Sequence, residues 1–240
     1  MWPFKKKKHS SFQSRIIITE NSTFSLTGYT RLKDNILSIN ADGNCKVIQI
    51  ESSLSHEAKT TIIANLAVSL GTTEKKVVVI DLDFRRPKLH RMFGMEKENG
   101  IKEFMQNDAK LESIIKKSKY NNVDVITRGG EVFNPAIIFM SEKFSNLIKT
   151  LKEQYDYILL DCAPVLQVSD YIHISKISDG VLFIVAYAKT TKNQILEAIN
   201  LLRKNDANII GLVLSMYDRK KDKEYSPYYK YYAYNDVDEE

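Results

Sequence analysis

The sequence predicts an α/β protein built on one doubly wound, mostly parallel sheet. Three observations carry this. Strand-like apolar runs alternate with helix-like runs along most of the chain. Several strand runs, "KVVVIDLD" at 76–83 among them, are continuous Val/Ile stretches, the pattern of strands covered on both faces. Acidic residues stand at the ends of two such runs, the edge where sheets of this class bind ligands.

Taken in order, residues 1–22 read as a loosely ordered basic arm. Its lysines 5–8 form either a solvated end or an attraction to an anionic membrane face, at about 1 kcal/mol per residue. Tyr29, Leu32 and Ile36 fall at helical spacing within 24–38, so a helix is expected there, and "ADGN" at 41–44 is a turn. "KVIQIES" is a strand and "TTIIANLAVSLG" a helix closed by Gly71. After the "KVVVIDLD" strand, residues 97–119 read as one or two helices around "GIKEFMQ" and "LESIIKK". "VDVITRGG" is a strand, and "SEKFSNLIKTLKEQY" a helix with Phe144, Leu147 and Leu151 on one face. The strands "DYILLDCAP" and "GVLFIVAY", the helix "KNQILEAINLLRKN" and the strand "NIIGLVLSMY" complete the alternation. The chain thus divides into an arm at 1–22, one α/β domain at 23–217 and a tail at 218–240 without apolar periodicity.

Bulk properties exclude several classes. The 240 residues are 43% apolar, ordinary for a globular protein, and no apolar run approaches the roughly 18 residues of a membrane span. The basic run near the start has no apolar segment after it, so a secretory signal is not expected. Cys45 and Cys162 make neither a disulfide framework nor a zinc spacing, which points to a reducing cytosol. The net charge of +5 is mild and the basic residues are scattered among acids, so nucleic acid is not an expected partner.

"KVIQIESSLSHEAKTT" at 46–61 has the layout of a strand, a phosphate-binding loop and a helix start. Set against G-x-x-x-x-G-K-[ST], Lys59 and Thr60 fit, while Ser53 and Ala58 stand in the glycine positions. Pattern alone makes this a weak match. Glycine permits positive φ and lets amides close around phosphate oxygens. Alanine there costs on the order of 1 kcal/mol. The rest of the apparatus remains: a lysine for the phosphates, a threonine for Mg²⁺ and a helix N-terminus. The candidate binding stretch is Ser55, His56, Glu57, Ala58, Lys59, Thr60 and Thr61.

Asp81 and Asp83 end one buried run, two residues apart and so on one side. Paired carboxylates call for a cation, and Mg²⁺ is the natural one; the alternative is a pair of solvated loop acids. Asp161 ends a second run after four apolar residues. It is either a metal-binding strand end or a turn acid. Lys59, Thr60, Asp81, Asp83 and Asp161 together supply the charge types that phosphoryl transfer needs.

"IDLDFRRP" is similar to the I-D-x-D-x-R-x-P segment of the bacterial tyrosine kinases of capsule and exopolysaccharide synthesis. "YDYILLDCAPV" resembles their Walker B strand with Ala163 for a proline, Asp170 fits their T-D pair with Ser169 for threonine, and "GGEVFNPAIIFMSEKF" resembles their P-N-P stretch, keeping Asn134, Pro135, Ser141 and Phe144. The likeness covers residues 24–234. It implies a P-loop NTPase fold of the MinD/ParA-like type, ATP and Mg²⁺ as cofactors, and a catalytic set of Lys59, Asp81, Asp83 and Arg85. The metal set would be Thr60, Asp81 and Asp161. It implies phosphorylation by a neighbouring subunit of the cluster Tyr225, Tyr228, Tyr229, Tyr231, Tyr232 and Tyr234, each phosphate adding about −1.5 to −2 charges. It further implies a transmembrane polysaccharide co-polymerase adaptor as activator, a tyrosine phosphatase as counterpart, and a place in the cytoplasm at the inner face of the plasma membrane.

The chain departs from the family at several positions. Ser53, His56 and Ala58 replace small or glycine residues, and Leu54 replaces a lysine. Ser215 and Met216 replace an Asn-Lys pair near the adenine. The helical Glu-x-x-Arg-x-x-Arg assembly motif falls on Thr27, Thr30 and Lys33, so a ring built on those ion pairs is not expected, while self-association of another kind stays open. Two further readings share the fold: a weakened or inactive scaffold that binds the adaptor, and a MinD/ParA-like ATPase.

Overall fold

Strands rich in β-branched residues find their partners across helical crossovers, and the order of pairing decides where the strand ends meet. The computed structural model describes residues 23–107 and 109–217. The basic arm at 1–22 and the tyrosine tail lie outside the described residues. The elements run α1 (Thr23–Ile39), β1 (Val47–Ser52), α2 (Lys59–Gly71), β2 (Val77–Asp81), α3 (Leu89–Phe93), α4 (Ile101–Gln106), α5 (Leu111–Ile114) and β3 (Lys116–Lys117). There follow β4 (Val123–Ile126), α6 (Pro135–Phe139), α7 (Glu142–Gln154), β5 (Tyr157–Asp161), α8 (Tyr171–Ile174), β6 (Gly180–Ala186), α9 (Lys192–Lys204) and β7 (Ile209–Ser215).

Among the described residues the strands form one seven-stranded sheet, ordered β3-β4-β2-β5-β1-β6-β7. Every pairing is parallel except β3 with β4. The doubly wound expectation holds. The stretch at 97–119 differs in one respect: its second helix stops at Ile114, and Lys116 and Lys117 turn back as a short antiparallel edge strand. The Lys116 ammonium fixes that edge by donating to the carbonyls of Glu96 and Glu98, both at 2.6 Å.

Helices cover both faces. On one, Ile63, Leu66, Ala67 and Leu70 of α2 pack against Ile48, Ile50, Val77, Val79 and Leu159. On the other, Phe144, Leu147 and Leu151 of α7 pack against Val78, Ile80, Ile158 and Leu160, the helical face read from the sequence. Each such side chain contributes about 1.5–3 kcal/mol on burial. Ser141 caps α7, its Oγ accepting the Phe144 amide at 3.2 Å. Gly71 does not close α2 by a left-handed turn. It lies in the last turn, where a Cβ would come within 2.6 Å of the Asn121 carbonyl oxygen, so glycine serves close packing against the β4 approach.

Candidate functional site

Parallel strands bring their carboxyl ends to one edge, and three ends meet there. Asp81 is the last residue of β2 and Asp161 the last of β5, directly opposite each other in register. Adjacent strands lie about 4.8 Å apart, so the two carboxylates share one small volume. Both are buried, and Oδ1 of each has no hydrogen-bond partner in the protein. Burial raises the Asp161 pKa to about 6, against the lowering influence of the Lys59 charge and a hydrogen bond with Thr60. Burial, then the Asp161 charge, raises Asp81 well above the ordinary carboxylate range. Asp81 Oδ2 accepts the Leu89 amide at 3.1 Å. Asp83 has left the strand. Its Oδ1 accepts the amides of Arg85 at 3.2 Å and Arg86 at 2.9 Å, forming a turn at the cavity rim. The acid that most closely accompanies Asp81 is therefore Asp161, across the sheet.

β1 runs into the loop and then into α2. The positive-φ residues of this loop are His56 at 65° and Ala58 at 67°. Sequence spacing placed glycine positions at Ser53 and Ala58. Ala58 occupies such a position, but Ser53 does not: it is buried and its φ is not positive, and the second left-handed residue is His56. Lys59 is buried, and its Nζ donates to Ser52 Oγ at 2.9 Å, which in turn donates to the Leu54 carbonyl at 2.8 Å. The first amide of α2 bonded within the helix is that of Ile62, to Ala58 O at 2.9 Å. The amides of Lys59, Thr60 and Thr61 belong to the orphan donors of a helix start, with no side-chain cap. They and the helix dipole suit an anion.

A cavity of about 220 Å³ lies at this loop, lined by residues 55–61 with Asp83, Arg86, Lys88 and Met216. Its rim is cationic. The His56 imidazole is held below its ordinary pKa first by desolvation, then by Lys88, Lys189, Arg86 and Lys59. A second, mostly apolar hollow of about 320 Å³ adjoins it between α1 and β7, sharing Ala58, Thr61 and Met216. A larger cavity, about 630 Å³ around Lys117 and Asp124, lies at the opposite end of the strands and holds none of the phosphate-loop or strand-end groups.

The structure thus brings together Ser55, His56, Glu57, Ala58, Lys59, Thr60 and Thr61 with Asp81, Asp83 and Asp161. Arg85 stands apart: it forms an ion pair with buried Asp170 and does not line the cavity. Sequence reading passed over Glu51. It is wholly buried, accepts from Gln49 Nε2 at 2.7 Å, and burial raises its pKa to about 8. A glutamate within the strand run "KVIQIES" was the available signal. Lys88 and Lys189 were also passed over. The tyrosine cluster lies outside the described residues.

Among the described residues no group of three or more His, Cys, Asp or Glu forms a metal cage. Mg²⁺ takes one or two carboxylates and completes its shell with water and phosphate. The two unpartnered Oδ1 atoms fit a cation that replaces their missing hydrogen bonds.

A family model described as an AAA domain matches residues 45–211. The chain belongs to that AAA domain family. This AAA domain is 28% identical to tyrosine-protein kinase YwqD of Bacillus subtilis (strain 168), over 93% of the chain and 95% of that protein. It superposes on the chimerical protein CapA2B2 with a TM-score of 0.79 and 28% identity, covering 85% of this chain and 89% of that one. With the septum site-determining protein MinD of Pyrococcus horikoshii OT3, solved with Mg-ADP, the TM-score is 0.63 at 28% identity, over 74% and 72% of the two chains. The kinase-family resemblance and the MinD-like P-loop fold are both borne out. The fold is one that binds nucleotide with a divalent metal. No helix of the described AAA domain is long and apolar enough to cross a membrane.

Proposed function

We propose that this chain is an ATP- and Mg²⁺-dependent protein-tyrosine kinase that phosphorylates the tyrosine cluster of a second copy and so regulates polysaccharide synthesis and export. One observation carries the reading. A buried lysine, the open N-terminus of α2 and Asp83 line one cavity, and the unpartnered strand-end carboxylate of Asp161, with Asp81 opposite it, lies beside Lys59 and Thr60. The kinase name of a relative matched over nearly its whole length supports it.

Lys59 and the amides of 59–61 bind and orient the phosphates. Thr60, Asp81 and Asp161 would hold Mg²⁺, which when bound neutralises charge on the phosphates. Asp83, which lines the cavity, takes the proton of the incoming tyrosine hydroxyl. Arg86 and Lys88 draw in the anionic ligand. Arg85 acts at one remove, tying the Asp83 turn to the Asp170 segment. A membrane adaptor of the co-polymerase kind would bring the kinase to the inner face of the membrane, and a tyrosine phosphatase would reverse the modification.

Incubation of the chain and an adaptor fragment with Mg-ATP, followed by phosphotyrosine detection, tests this. Lys59→Met is expected to remove the signal. Deletion of 225–234 is expected to remove self-labelling and spare nucleotide binding. The left-handed His56 and Ala58 favour a second reading, a non-catalytic scaffold. An absence of calorimetric heat with Mg-ATP up to millimolar concentration would select it.

A further inference from the structure

Glu57 lies between the two left-handed residues of the loop, and almost every polar atom it offers is engaged away from the cavity interior. Its Oε2 accepts the Leu54 amide at 2.9 Å, and its Oε1 accepts the Thr190 hydroxyl. Its carbonyl accepts the Ser215 hydroxyl at 2.9 Å, and the neighbouring His56 carbonyl accepts from Lys189 Nζ at 2.5 Å. The residue is 1% exposed. The segment it reaches is strained in its own right, since Ala188 has φ 52°.

Left-handed backbone is disfavoured for residues with a Cβ and persists only where the surroundings impose it. A glycine-rich loop adopts that shape at little cost. Here His56 and Ala58 must be held, and the tethers on either side of them converge on Glu57. Hydrogen bonds to a buried carboxylate are among the stronger ones available for the purpose.

We propose that Glu57 is a positioning residue: its carboxylate stands in for the missing glycines by clamping the loop, through Leu54, to Thr190 of the 188–190 turn, beside the separate tether of its carbonyl to Ser215, which keeps the α2 amides open to a phosphate. This rests on the nucleotide reading above, and the test separates the two.

Mg-ADP affinity of the full chain is measured by calorimetry. Glu57→Ala is expected to weaken binding by about tenfold or more, the scale of one charge-assisted hydrogen bond lost. His56→Gly with Ala58→Gly in that background is expected to restore most of the loss. The same glycine pair in the otherwise unchanged chain is the reference against which that restoration is read. Thr190→Val, which removes one tether and leaves the buried carboxylate in place, should act in the same direction and more weakly. If Glu57→Ala binds as the parent does, the inference is wrong. If its binding is weak and glycine restores nothing, the carboxylate acts by some means other than shaping the loop, and the inference is again wrong. If the parent chain takes up no nucleotide, the functional reading fails. Amide exchange at Leu54 then decides the clamp alone, since an exchange rate unchanged by Glu57→Ala would remove it.

Discussion

Asp81 and Asp161 are fixed by the backbone ladder of two central strands, whereas residues 53–58 opposite them are fixed by side chains reaching in from elsewhere. The acidic wall inherits its geometry from the sheet. Both residues sit in register, buried, with the positions before them occupied by Val and Ile or Leu that nothing else in the core would displace. The loop wall lacks glycine and is built from tethers to Leu54, Lys189, Thr190 and Ser215. One half of the cavity should therefore respond to substitution through charge, and the other half through shape.

Three changes test this contrast. Asp161→Asn should leave the fold intact and lower kinase activity on the order of a hundredfold, the scale of removing one preorganised electrostatic contact. Activity against Mg²⁺ concentration is the measurement. A variant with near-parental activity would mean that the acidic wall holds no metal.

Glu51→Gln addresses the buried carboxyl behind that wall. The Glu51 pKa rises from an ordinary 4.5 to about 8 in the folded chain. Between those values the folded state keeps a proton that the unfolded state has released. The stabilising effect is complete below the lower value and declines as pH rises through the higher one. Thermal midpoints of the metal-free parent should fall from pH 5 to pH 8. The Gln variant should show a flatter profile and a midpoint roughly 5 °C or more higher at pH 8. Asp81 and Asp161, raised in the same sense, account for the slope that remains. Identical profiles for the two proteins would show that Glu51 is not held protonated.

Ala58→Gly should have the smallest effect. Relief of the left-handed strain is worth about 1 kcal/mol and is partly offset by the greater freedom of glycine in the unfolded chain. Denaturant midpoints measure it. A clear loss of stability would mean that the methyl packs usefully where it stands.

The same contrast explains what was legible in the sequence. The sheet could be read because its strands are continuous Val/Ile runs, and the acids because each closes such a run. Short elements escaped notice: α3, α6 and α8 are four or five residues long, too brief to show a helical period. So did β3, whose two residues are both lysine. Ser53 was matched to a glycine position by spacing, but backbone torsion assigns that place to His56, and no spacing rule reports torsion. The Glu57 tethers join residues 133 and 158 apart in the chain, and no local pattern encodes them.

That separation also matters as the protein is made. Ser215 belongs to the last strand, and Thr190 lies on the turn after the strand that pairs with it. A nascent chain that has emerged only through β6 would carry its lysine and both strand-end aspartates but not the braces that shape the phosphate cradle. The phosphate cradle would then take its shape only once β7 has joined the sheet beside β6.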